Sequence, residues 1–327
     1  MIKAKIIGTG SYLPEKILTN VDFEKIVDTS DEWITTRTGI KERHIARDDE
    51  TTADMAFIAG DIAIKNAGIA ADQIDCILVA TITPDMSFPS VACLVQDKLQ
   101  TQNCMAMDIN AACTGFIYGL QMADCFIKAG QHKYVLVIAC DKLSAVTDYT
   151  DRNTCVLFGD GAGAAVLTAS DNDDGILGVY SGSDGSKAEL LKRQSGLTRQ
   201  PLSKISPYDF HNLYLYMDGK AIFKSAVNQM TSSLGYALEM AGKKREDLDL
   251  IIPHQANLRI IKSVQEYAKV SDDKMYISLP KIGNTSASTV PIAMDDAIKN
   301  GKLKKGHILG LTAFGAGLTF GAAVIKM

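Results

Sequence analysis

An internal duplication is the feature that most restricts how this chain can fold. Cys113 lies 17 residues before Gly130, and Asn284 lies 17 residues before Gly301, each in a loop that leads to an apolar strand. Two further pairs of segments match in the same order along the chain. Those pairs are 67–75 with 241–249 and 158–167 with 314–325. Such self-similarity indicates a repeated structural unit. We therefore predict two similar halves, 1–172 and 173–327, that meet at a polar stretch.

Short apolar strands alternate with amphipathic helices along the chain. The predicted strands are 3–8, 74–80, 134–140, 164–168 and 307–312, and the predicted helices are 21–27, 53–68, 89–100 and 116–127. Asn20 is predicted to be the N-cap of the helix at 21–27, and the glycines of 159–163 predict a tight turn. Apolar strands that alternate with helices are typical of an α/β fold whose sheets are covered on both faces.

Composition and charge exclude several classes of protein. The net charge is −4, and no basic stripe runs along the chain to neutralise phosphates. Nucleic acid is therefore not an expected partner. The seven cysteines are scattered without a C-x-x-C pair, which argues against a disulfide framework, a structural zinc site or any other metal site. The N-terminus runs into a strand without a signal segment, and no apolar run approaches the roughly 20 residues of a membrane span. We expect a cytoplasmic protein with no membrane contact.

Cys113 is the candidate nucleophile. It follows the apolar run 104–109 and precedes the predicted helix, so it lies where a strand leads into a helix N-terminus. The unpaired N–H groups and the dipole there favour an anion, so we expect a lowered thiol pKa. Small neighbours such as Ala111, Ala112 and Gly115 leave room for a substrate carbonyl. The alternative is a buried, inert cysteine, which is common among free cysteines.

The second half offers partners for this thiol. His254 is predicted at the end of a buried strand, and Asn284 occupies the repeat position that matches Cys113. A thiolate can attack an acyl carbonyl, and two neutral N–H donors can hold an enolate oxygen. A neutral His254 is expected in an apolar pocket. The small-residue loop 314–319 can present backbone N–H groups to a second oxyanion, although a simple hairpin turn explains it equally well.

Two other motifs have competing interpretations. Trp33, the only tryptophan, and Arg37 lie one helical turn apart and could stack on a flat ring, although a partly buried core Trp with a solvated Arg is the commoner arrangement. Gly8 and Gly10 lie near a strand end, as in a dinucleotide-binding turn, but a third glycine and a well-placed acidic residue are missing.

Four motifs in order along the chain carry a resemblance to a known family. They are Asp108-Ile109-Asn110-Ala111-Ala112-Cys113-Thr114-Gly115, Pro253-His254-Gln255-Ala256-Asn257, Gly283-Asn284-Thr285-Ser286-Ala287-Ser288 and Phe314-Gly315-Ala316-Gly317. The chain resembles the thiolase superfamily and, within it, the bacterial β-ketoacyl-acyl-carrier-protein synthase III family, over essentially its whole length. That resemblance implies a duplicated, layered α/β/α/β/α fold of two pseudo-symmetric halves with mixed sheets.

The resemblance also implies an activity and a set of roles. The enzyme would condense an acyl-CoA primer, expected to be acetyl-CoA, with malonyl-acyl-carrier protein, and would thereby initiate fatty acid synthesis. Cys113 would be acylated, and His254 and Asn284 would assist decarboxylation and stabilise the enolate. The backbone N–H groups of Cys113 and Ala316 would form the oxyanion hole, although the family often has glycine at the position of Ala316. No cofactor is implied, because the CoA thioester is a substrate.

Binding residues follow from the same resemblance. Trp33 and Arg152 would stack around the adenine of CoA, with Arg37 beside them, and Lys220 stands where the family can have Asn. Lys224 and Arg259 would contact the acidic carrier protein, with plain solvated charge as the alternative. Phe88 would enter the acyl pocket of the neighbouring subunit, which implies a homodimer. The remaining positions that match the CoA channel are Thr29, Gly219, Phe223 and Asn257.

Other members of the superfamily remain as alternatives. A degradative or biosynthetic thiolase needs a second cysteine in the C-terminal glycine-rich loop, and residues 314–318 contain none. An elongating condensing enzyme would have His where Asn284 stands. A specialised condensing enzyme of secondary metabolism could use the same Cys-His-Asn set, and a non-catalytic acyl-CoA or carrier-protein binding subunit would have lost at least one of the three. The acyl preference depends on pocket residues such as Leu143 and Phe158.

Overall fold

The computed structural model describes residues 2–194, 198–199, 201–205 and 213–327. Over these ranges the helices are α1 (Asn20–Phe23), α2 (Asp31–Thr38), α3 (Thr52–Ala67), α4 (Val91–Leu99), α5 (Gly115–Lys128), α6 (Gly219–Met240), α7 (Leu258–Ala268), α8 (Leu279–Ile282) and α9 (Thr289–Lys299). The strands are β1 (Lys3–Tyr12), β2 (Lys16–Thr19), β3 (Glu42–Ile45), β4 (Cys76–Ala80), β5 (Met105–Ile109), β6 (Val135–Asp141), β7 (Gly161–Ser170), β8 (Gly175–Ser183), β9 (Leu191–Lys192), β10 (Tyr216–Met217), β11 (Leu250–Pro253), β12 (Ile308–Gly315) and β13 (Thr319–Lys326).

Two mixed sheets form the framework. The first has the order β1-β7-β6-β4-β5, in which β4 is parallel to both β5 and β6 and the remaining pairs are antiparallel. The second has the order β11-β12-β13-β8, in which β11 and β12 are parallel and the remaining pairs are antiparallel. The strands of the first sheet end at Ser170 and those of the second begin at Gly175. The division of the chain at 172 and 173 into duplicated halves stays a prediction.

Helices α5 and α9 form a central layer between the two sheets. Phe116 and Leu120 of α5 and Met294 of α9 belong to one buried apolar cluster together with Leu78 of β4 and Leu311 of β12. On the outer face of the first sheet, α3 and α4 pack against β4 and β6, and on the outer face of the second sheet, α6 and α7 pack against β11 and β13. The result is the predicted α/β/α/β/α order.

This layering explains why the central strands are apolar throughout. In β4, Ile77 and Val79 face α3 and α4, whereas Cys76 and Leu78 face the central helices. Alternate side chains of a strand point to opposite faces, so a strand covered on both faces needs apolar residues at every position.

The N-terminal elements differ from the sequence-based prediction. Strand β1 continues to Tyr12 rather than ending at residue 8, because it pairs with β7 along its length. Helix α1 is capped by Thr19, not by Asn20, and it ends at Phe23 rather than at residue 27. Thr19 and Asp22 form a reciprocal capping box, while the Asn20 amide donates instead to Asp31 and to the Ile40 carbonyl.

Other predicted bounds shift by a few residues. Strand β7 already begins at Gly161, inside the expected turn, because its first residues pair with β6. Strand β4 begins two residues later than predicted, and α3 and α4 lie within about two residues of their predicted bounds.

Gly8 and Gly10 are explained by packing, not by a nucleotide. Both lie within β1, at the place where α3 crosses it. A Cβ at Gly10 would stand 2.3 Å from the Ala59 carbonyl oxygen and 2.6 Å from the Ala63 nitrogen. Helix α3 therefore approaches this strand more closely than any side chain at residue 10 allows.

We expect Gly10→Ala to destabilise the fold by about 3 kcal/mol, the upper part of the usual cost of overpacking, because the clash is with backbone atoms that cannot rotate away. Urea unfolding measures this change. Gly185→Ala is the matched control, since an added Cβ there meets nothing within 4 Å. Equal stability of the two variants would contradict the packing argument.

Candidate active site

Cys113, His254 and Asn284 line one cavity of about 490 Å³. They reach it from the ends of different elements: Cys113 precedes α5, His254 follows β11, and Asn284 precedes α9. The apolar side chains of its lining include Leu143 and Phe158. The structure thus brings together the three side chains that the sequence singled out.

Cys113 lies in a 3₁₀ turn, Ala112–Thr114, directly before α5. The turn starts at a positive φ of 45° at Ala112. Gly315 packs against it so closely that a Cβ there would stand 2.6 Å from the Cys113 nitrogen. The Thr319 hydroxyl donates to the Ala111 carbonyl at 2.8 Å. The hairpin loop between β12 and β13 is therefore fastened to the turn that presents Cys113.

The expectation of a lowered thiol pKa at Cys113 is wrong for this structure. Burial raises the pKa of Cys113 to about 12, and the nearby Asp141 carboxylate adds to the rise, whereas Ser286 lowers it. The free-energy cost of removing a thiolate from water is larger than the stabilisation that the helix N-terminus gives it. The thiol of the free enzyme is therefore protonated, and its activation needs a proton acceptor.

His254 is neutral, as predicted. Its backbone N–H donates to the Thr312 carbonyl at 2.8 Å, so β12 fixes the end of β11. The ring Nδ1 lies 2.6 Å from the Thr289 hydroxyl, which leaves Nε2 for the cavity. Burial lowers the pKa of His254 to about 3, because no acidic partner compensates for the loss of water.

Asn284 is fixed at both its backbone and its side chain. Its N–H donates to the Leu157 carbonyl at 2.9 Å, and its carbonyl accepts from the Gly159 N–H at 3.0 Å. Its side-chain Oδ1 accepts from the Ser286 N–H at 2.9 Å. Because this amide oxygen is occupied, the Nδ2 donors are the part of the side chain that remains for the cavity.

An outer pocket of about 870 Å³ adjoins the cavity and shares several lining residues with it, including Gly219, Phe223 and Asn257. Trp33 and Arg37 line it; the Arg37 guanidinium lies 5.7 Å from the Trp33 ring centroid, and that of Arg152, which is not part of the lining, lies 4.5 Å from the same centroid. Two cations thus flank the one indole of the chain.

The remaining predicted positions are distributed around this pocket. Arg259 lines it and lies 5.5 Å from the Phe223 ring centroid. Asn257 caps α7 and donates from Nδ2 to the Arg37 carbonyl at 3.1 Å. Ala316 lines the inner cavity. Lys224 is exposed outside both pockets, and Thr29 lies before α2 without lining either of them.

Three buried polar residues beside the catalytic set were missed by reasoning from the sequence. They are Asp141, Ser286 and Thr289, all 1% exposed or less. Ser286 and Thr289 belong to the segment that contains Asn284, so its many hydroxyl residues were an available signal. Asp141 is the last residue of β6, and nothing in the local sequence indicates that it lies near Cys113.

Neither a metal cluster nor a membrane span occurs in the described part of the chain. Residues 2–194, 198–199, 201–205 and 213–327 contain no group of three or more His, Cys, Asp or Glu placed to share a metal ion. Among the helices of those ranges, none combines the length and apolarity needed to cross a bilayer.

Comparison with known proteins identifies the family. The family models for 3-oxoacyl-[acyl-carrier-protein] synthase III match residues 107–185 and, for its C-terminal part, residues 238–327. A curated relative from Caldanaerobacter subterraneus subsp. tengcongensis, named β-ketoacyl-[acyl-carrier-protein] synthase III, is 51% identical over 99% of this chain and 98% of its own. The chain belongs to the β-ketoacyl-acyl-carrier-protein synthase III family.

Solved structures agree with this assignment and with the predicted fold. The synthase III of Aquifex aeolicus superimposes with a TM-score of 0.92 at 48% identity, covering 99% of this chain and 100% of that one. A priming β-ketosynthase from the R1128 polyketide biosynthetic pathway superimposes with a TM-score of 0.93 at 34% identity, covering 99% and 96%. The synthase III family consists of condensing enzymes of the acyltransferase type, so the prediction of an enzyme is confirmed.

The buried, neutral His254 makes folding stability depend on pH. The unfolded chain binds a proton at His254 below about pH 6.5, and the folded chain does so only below about pH 3, so this residue lowers stability as the pH falls between those values. Between pH 7 and 4.5 we expect the unfolding free energy to decrease by about 2–3 kcal/mol less in His254→Gln than in the parent. Urea titrations at one protein concentration test this, and identical pH dependence would contradict it.

Proposed function

We propose that this synthase catalyses the decarboxylative condensation of a short acyl-CoA, acetyl-CoA in the first instance, with malonyl-acyl-carrier protein. The products are a β-ketoacyl-acyl-carrier protein, CoA and CO2, and the reaction initiates fatty acid synthesis. The observation that carries the proposal is the convergence of Cys113, His254 and Asn284 on one apolar cavity that adjoins the Trp33 pocket. The family membership supports the same reaction.

The first half-reaction acylates Cys113. Its thiolate attacks the thioester carbonyl, the tetrahedral oxyanion accepts from the backbone N–H groups of Cys113 and Ala316, and CoA departs. Two features support this step: Cys113 lies before a helix, and the loop with Ala316 packs against it. Fixed backbone donors at the developing oxyanion are each worth about 3 kcal/mol of barrier in comparable sites.

The second half-reaction forms the carbon–carbon bond. Malonyl-carrier protein loses CO2, its enolate oxygen accepts from His254 and Asn284, and the enolate carbon attacks the acyl-Cys113 carbonyl. The Asn284 Nδ2 donors suit this role because Oδ1 is held by Ser286. When the Thr289 hydroxyl donates its hydrogen bond to Nδ1 of His254, the ring proton is on Nε2, which faces the cavity. Decarboxylation moves the negative charge from the malonyl carboxylate to the enolate oxygen, where the two neutral N–H donors hold it.

The outer pocket is proposed to bind CoA. Trp33, flanked by Arg37 and Arg152, would stack on the adenine, and the guanidinium groups would attract the phosphates. The positions proposed along the pantetheine arm are Gly219, Phe223 and Asn257, which line the pocket, and Thr29, which lies before α2 outside it. Lys224 and Arg259 are proposed to meet the acidic carrier protein, supported by the exposure of Lys224 and by the place of Arg259 at the pocket.

A homodimer is proposed as the working form. Phe88 is 84% exposed, and Met86 and Met107 nearby in the fold are also exposed. Strand β5, which contains Met107, is at the edge of its sheet. Apolar side chains beside an unpaired strand edge favour association with a second copy. In that dimer Phe88 would close the acyl pocket of its neighbour.

The proposed enzyme works in solution inside the cell and needs no bound cofactor. We place the enzyme in the cytoplasm, with no membrane or nucleic-acid partner. No bound cofactor is assigned, because the thioesters supply all the reacting groups.

A specialised condensing enzyme of secondary metabolism is the second candidate. The likeness to the priming ketosynthase of a polyketide pathway favours it, because that protein shares the fold at 34% identity. Incubation with a series of acyl-CoAs, read by intact mass, separates the two. Preferential transfer of acetyl supports fatty acid initiation, whereas preference for a longer or branched acyl group supports the second candidate.

We expect Cys113→Ser to lose the acyl adduct seen on the parent protein. His254→Ala and Asn284→Ala should still acylate Cys113 but lower condensation by about 10²–10³-fold, because each removes one donor to the enolate. Intact mass measures acylation, and release of CO2 from malonyl-carrier protein measures condensation. If either variant is folded but cannot be acylated, the division of roles is wrong.

We expect Trp33→Ala to raise the KM for acetyl-CoA about 10- to 100-fold, because base stacking on an aromatic ring is worth about 1–3 kcal/mol. Acetyl-pantetheine, which lacks the adenine, is the matched control substrate, and its KM should change little. The KM of Trp33→Phe for acetyl-CoA should lie between those of the parent and of Trp33→Ala. An equal rise in KM for both substrates would show that Trp33 supports the fold and does not stack on the adenine.

A further inference from the structure

The Thr289 hydroxyl connects the His254 ring to two backbone groups. Its Oγ lies 2.6 Å from Nδ1 of His254, 3.1 Å from the Ser286 carbonyl oxygen and 3.3 Å from the Gln255 backbone nitrogen. Thr289 and Gln255 are fully buried, and His254 is 3% exposed. Three neighbours therefore share one hydroxyl group at a place that bulk water does not reach.

The number of protons limits how these contacts can be made. A hydroxyl has one proton to donate and two lone pairs that accept. The Gln255 N–H can only donate to it, and the Ser286 carbonyl can only accept from it. If the hydroxyl donates to Ser286, its second lone pair is left for Nδ1 of His254, which must then carry the ring proton. All three contacts are hydrogen bonds in this arrangement, and Nε2 keeps an unprotonated lone pair toward the cavity.

A second arrangement gives the hydroxyl proton to Nδ1 of His254. The ring proton is then on Nε2, and the hydrogen bond from the Thr289 hydroxyl to the Ser286 carbonyl is lost. That carbonyl still accepts from the backbone N–H of Thr289, so it is not left without a donor. The two arrangements differ by one hydrogen bond, and the first is favoured in the free enzyme.

The His254 ring is neutral in both arrangements. Burial lowers its pKa to about 3, so at neutral pH the ring carries one proton and only the position of that proton can change. An unprotonated Nε2 can accept a hydrogen bond but cannot donate one to a substrate oxygen. A donor to the enolate therefore requires the second arrangement.

We propose that Thr289 sets the tautomer of His254 and changes it when a substrate oxygen enters the cavity. In the free enzyme the Thr289 hydroxyl donates to Ser286, and the ring proton is on Nδ1. With the malonyl thioester bound, the hydroxyl turns to Nδ1. The Nδ1 proton is given up to water and Nε2 binds a proton from water, so the ring stays neutral.

The substrate oxygen supplies the free energy for this change. When it accepts from the Nε2–H of His254, the new hydrogen bond replaces the one lost at the Ser286 carbonyl. Decarboxylation then charges the oxygen, and a hydrogen bond to a charged acceptor is roughly twice as strong as a neutral one. The inference rests on the proposed role of His254 as a donor to the enolate, and it makes Thr289 a positioning residue.

¹⁵N NMR of protein with labelled histidine tests the proposal, because protonated and unprotonated ring nitrogens have well-separated chemical shifts. The chain has five histidines, and His254→Gln identifies the signals of residue 254. In the free parent protein at neutral pH we expect the proton on Nδ1. Acetoacetyl-CoA has a thioester oxygen that accepts and no carboxylate to lose, so its binding, followed by calorimetry, should move the proton to Nε2.

Thr289→Val keeps the shape of the side chain and removes the hydroxyl. Its free form should carry the His254 ring proton on Nε2, because Nδ1 then has no acceptor while Nε2 faces the cavity. Thr289→Ser restores a hydroxyl and should return the proton to Nδ1. Ser288→Ala is the matched control: it removes a buried hydroxyl that donates to the Thr285 carbonyl, and the tautomer should stay as in the parent. If Thr289→Val does not fold, the parent and Thr289→Ser spectra still decide the proposal.

Three results would overturn the proposal. A free parent protein with the proton on Nε2 would show that the Thr289 hydroxyl donates to Nδ1 from the start. The same tautomer in folded Thr289→Val and in the parent would show that another group sets it. An Nδ1 proton that stays in place with acetoacetyl-CoA bound would show that a ligand does not turn the hydroxyl. Failure of the proposed condensation is distinguishable, because the tautomer of the free protein and its dependence on Thr289 are measured without any substrate.

Discussion

The burial of α5 and α9 between two sheets is the constraint on which the rest of the structure depends. Each helix is covered by a sheet on two sides, so both helices and all the central strands must be apolar. The turns that precede the two helices, at Cys113 and at Ser286, then come together beside the ends of β6 and β11. Cys113 and Asn284 meet because the two buried helices begin at the same place in the fold, and His254 joins them from the end of β11.

The same burial sets the chemistry of the cavity. Loss of water raises the pKa of Cys113 and lowers that of His254, so both groups are neutral in the free enzyme. A neutral histidine and an amide are hydrogen-bond donors that suit an enolate oxygen, onto which the charge of a departing carboxylate moves. A neutral thiol must lose its proton before it can act as a nucleophile.

Rigidity around the site comes from backbone bonds more than from ion pairs. Asn284 is paired on both sides with the segment at Leu157 and Gly159, and that segment is fastened by the buried Arg43, which donates to the Val156 carbonyl. His254 is fixed by Thr312 and Thr289. The outer pocket is different: Trp33 and Arg37 line it, and the Arg152 guanidinium lies over the same indole ring, so the ring is held by cation–π contacts.

The sequence by itself determined the α/β class, the layered fold through its family resemblance, and the three residues Cys113, His254 and Asn284. Local sequence is enough for these predictions for two reasons. The periodicity of apolar residues in a strand or helix shows which of its faces are buried, and each motif is a contiguous run of residues. Only the tertiary structure decided the direction of the Cys113 pKa shift, the hydrogen bond from the Ser286 N–H to Asn284 Oδ1, and the capping of α1 by Thr19. Desolvation and hydrogen bonding depend on neighbours supplied by distant segments, so no local pattern contains them. The helix N-terminus at Cys113 was correctly inferred, but the water-free cavity around it outweighs its dipole.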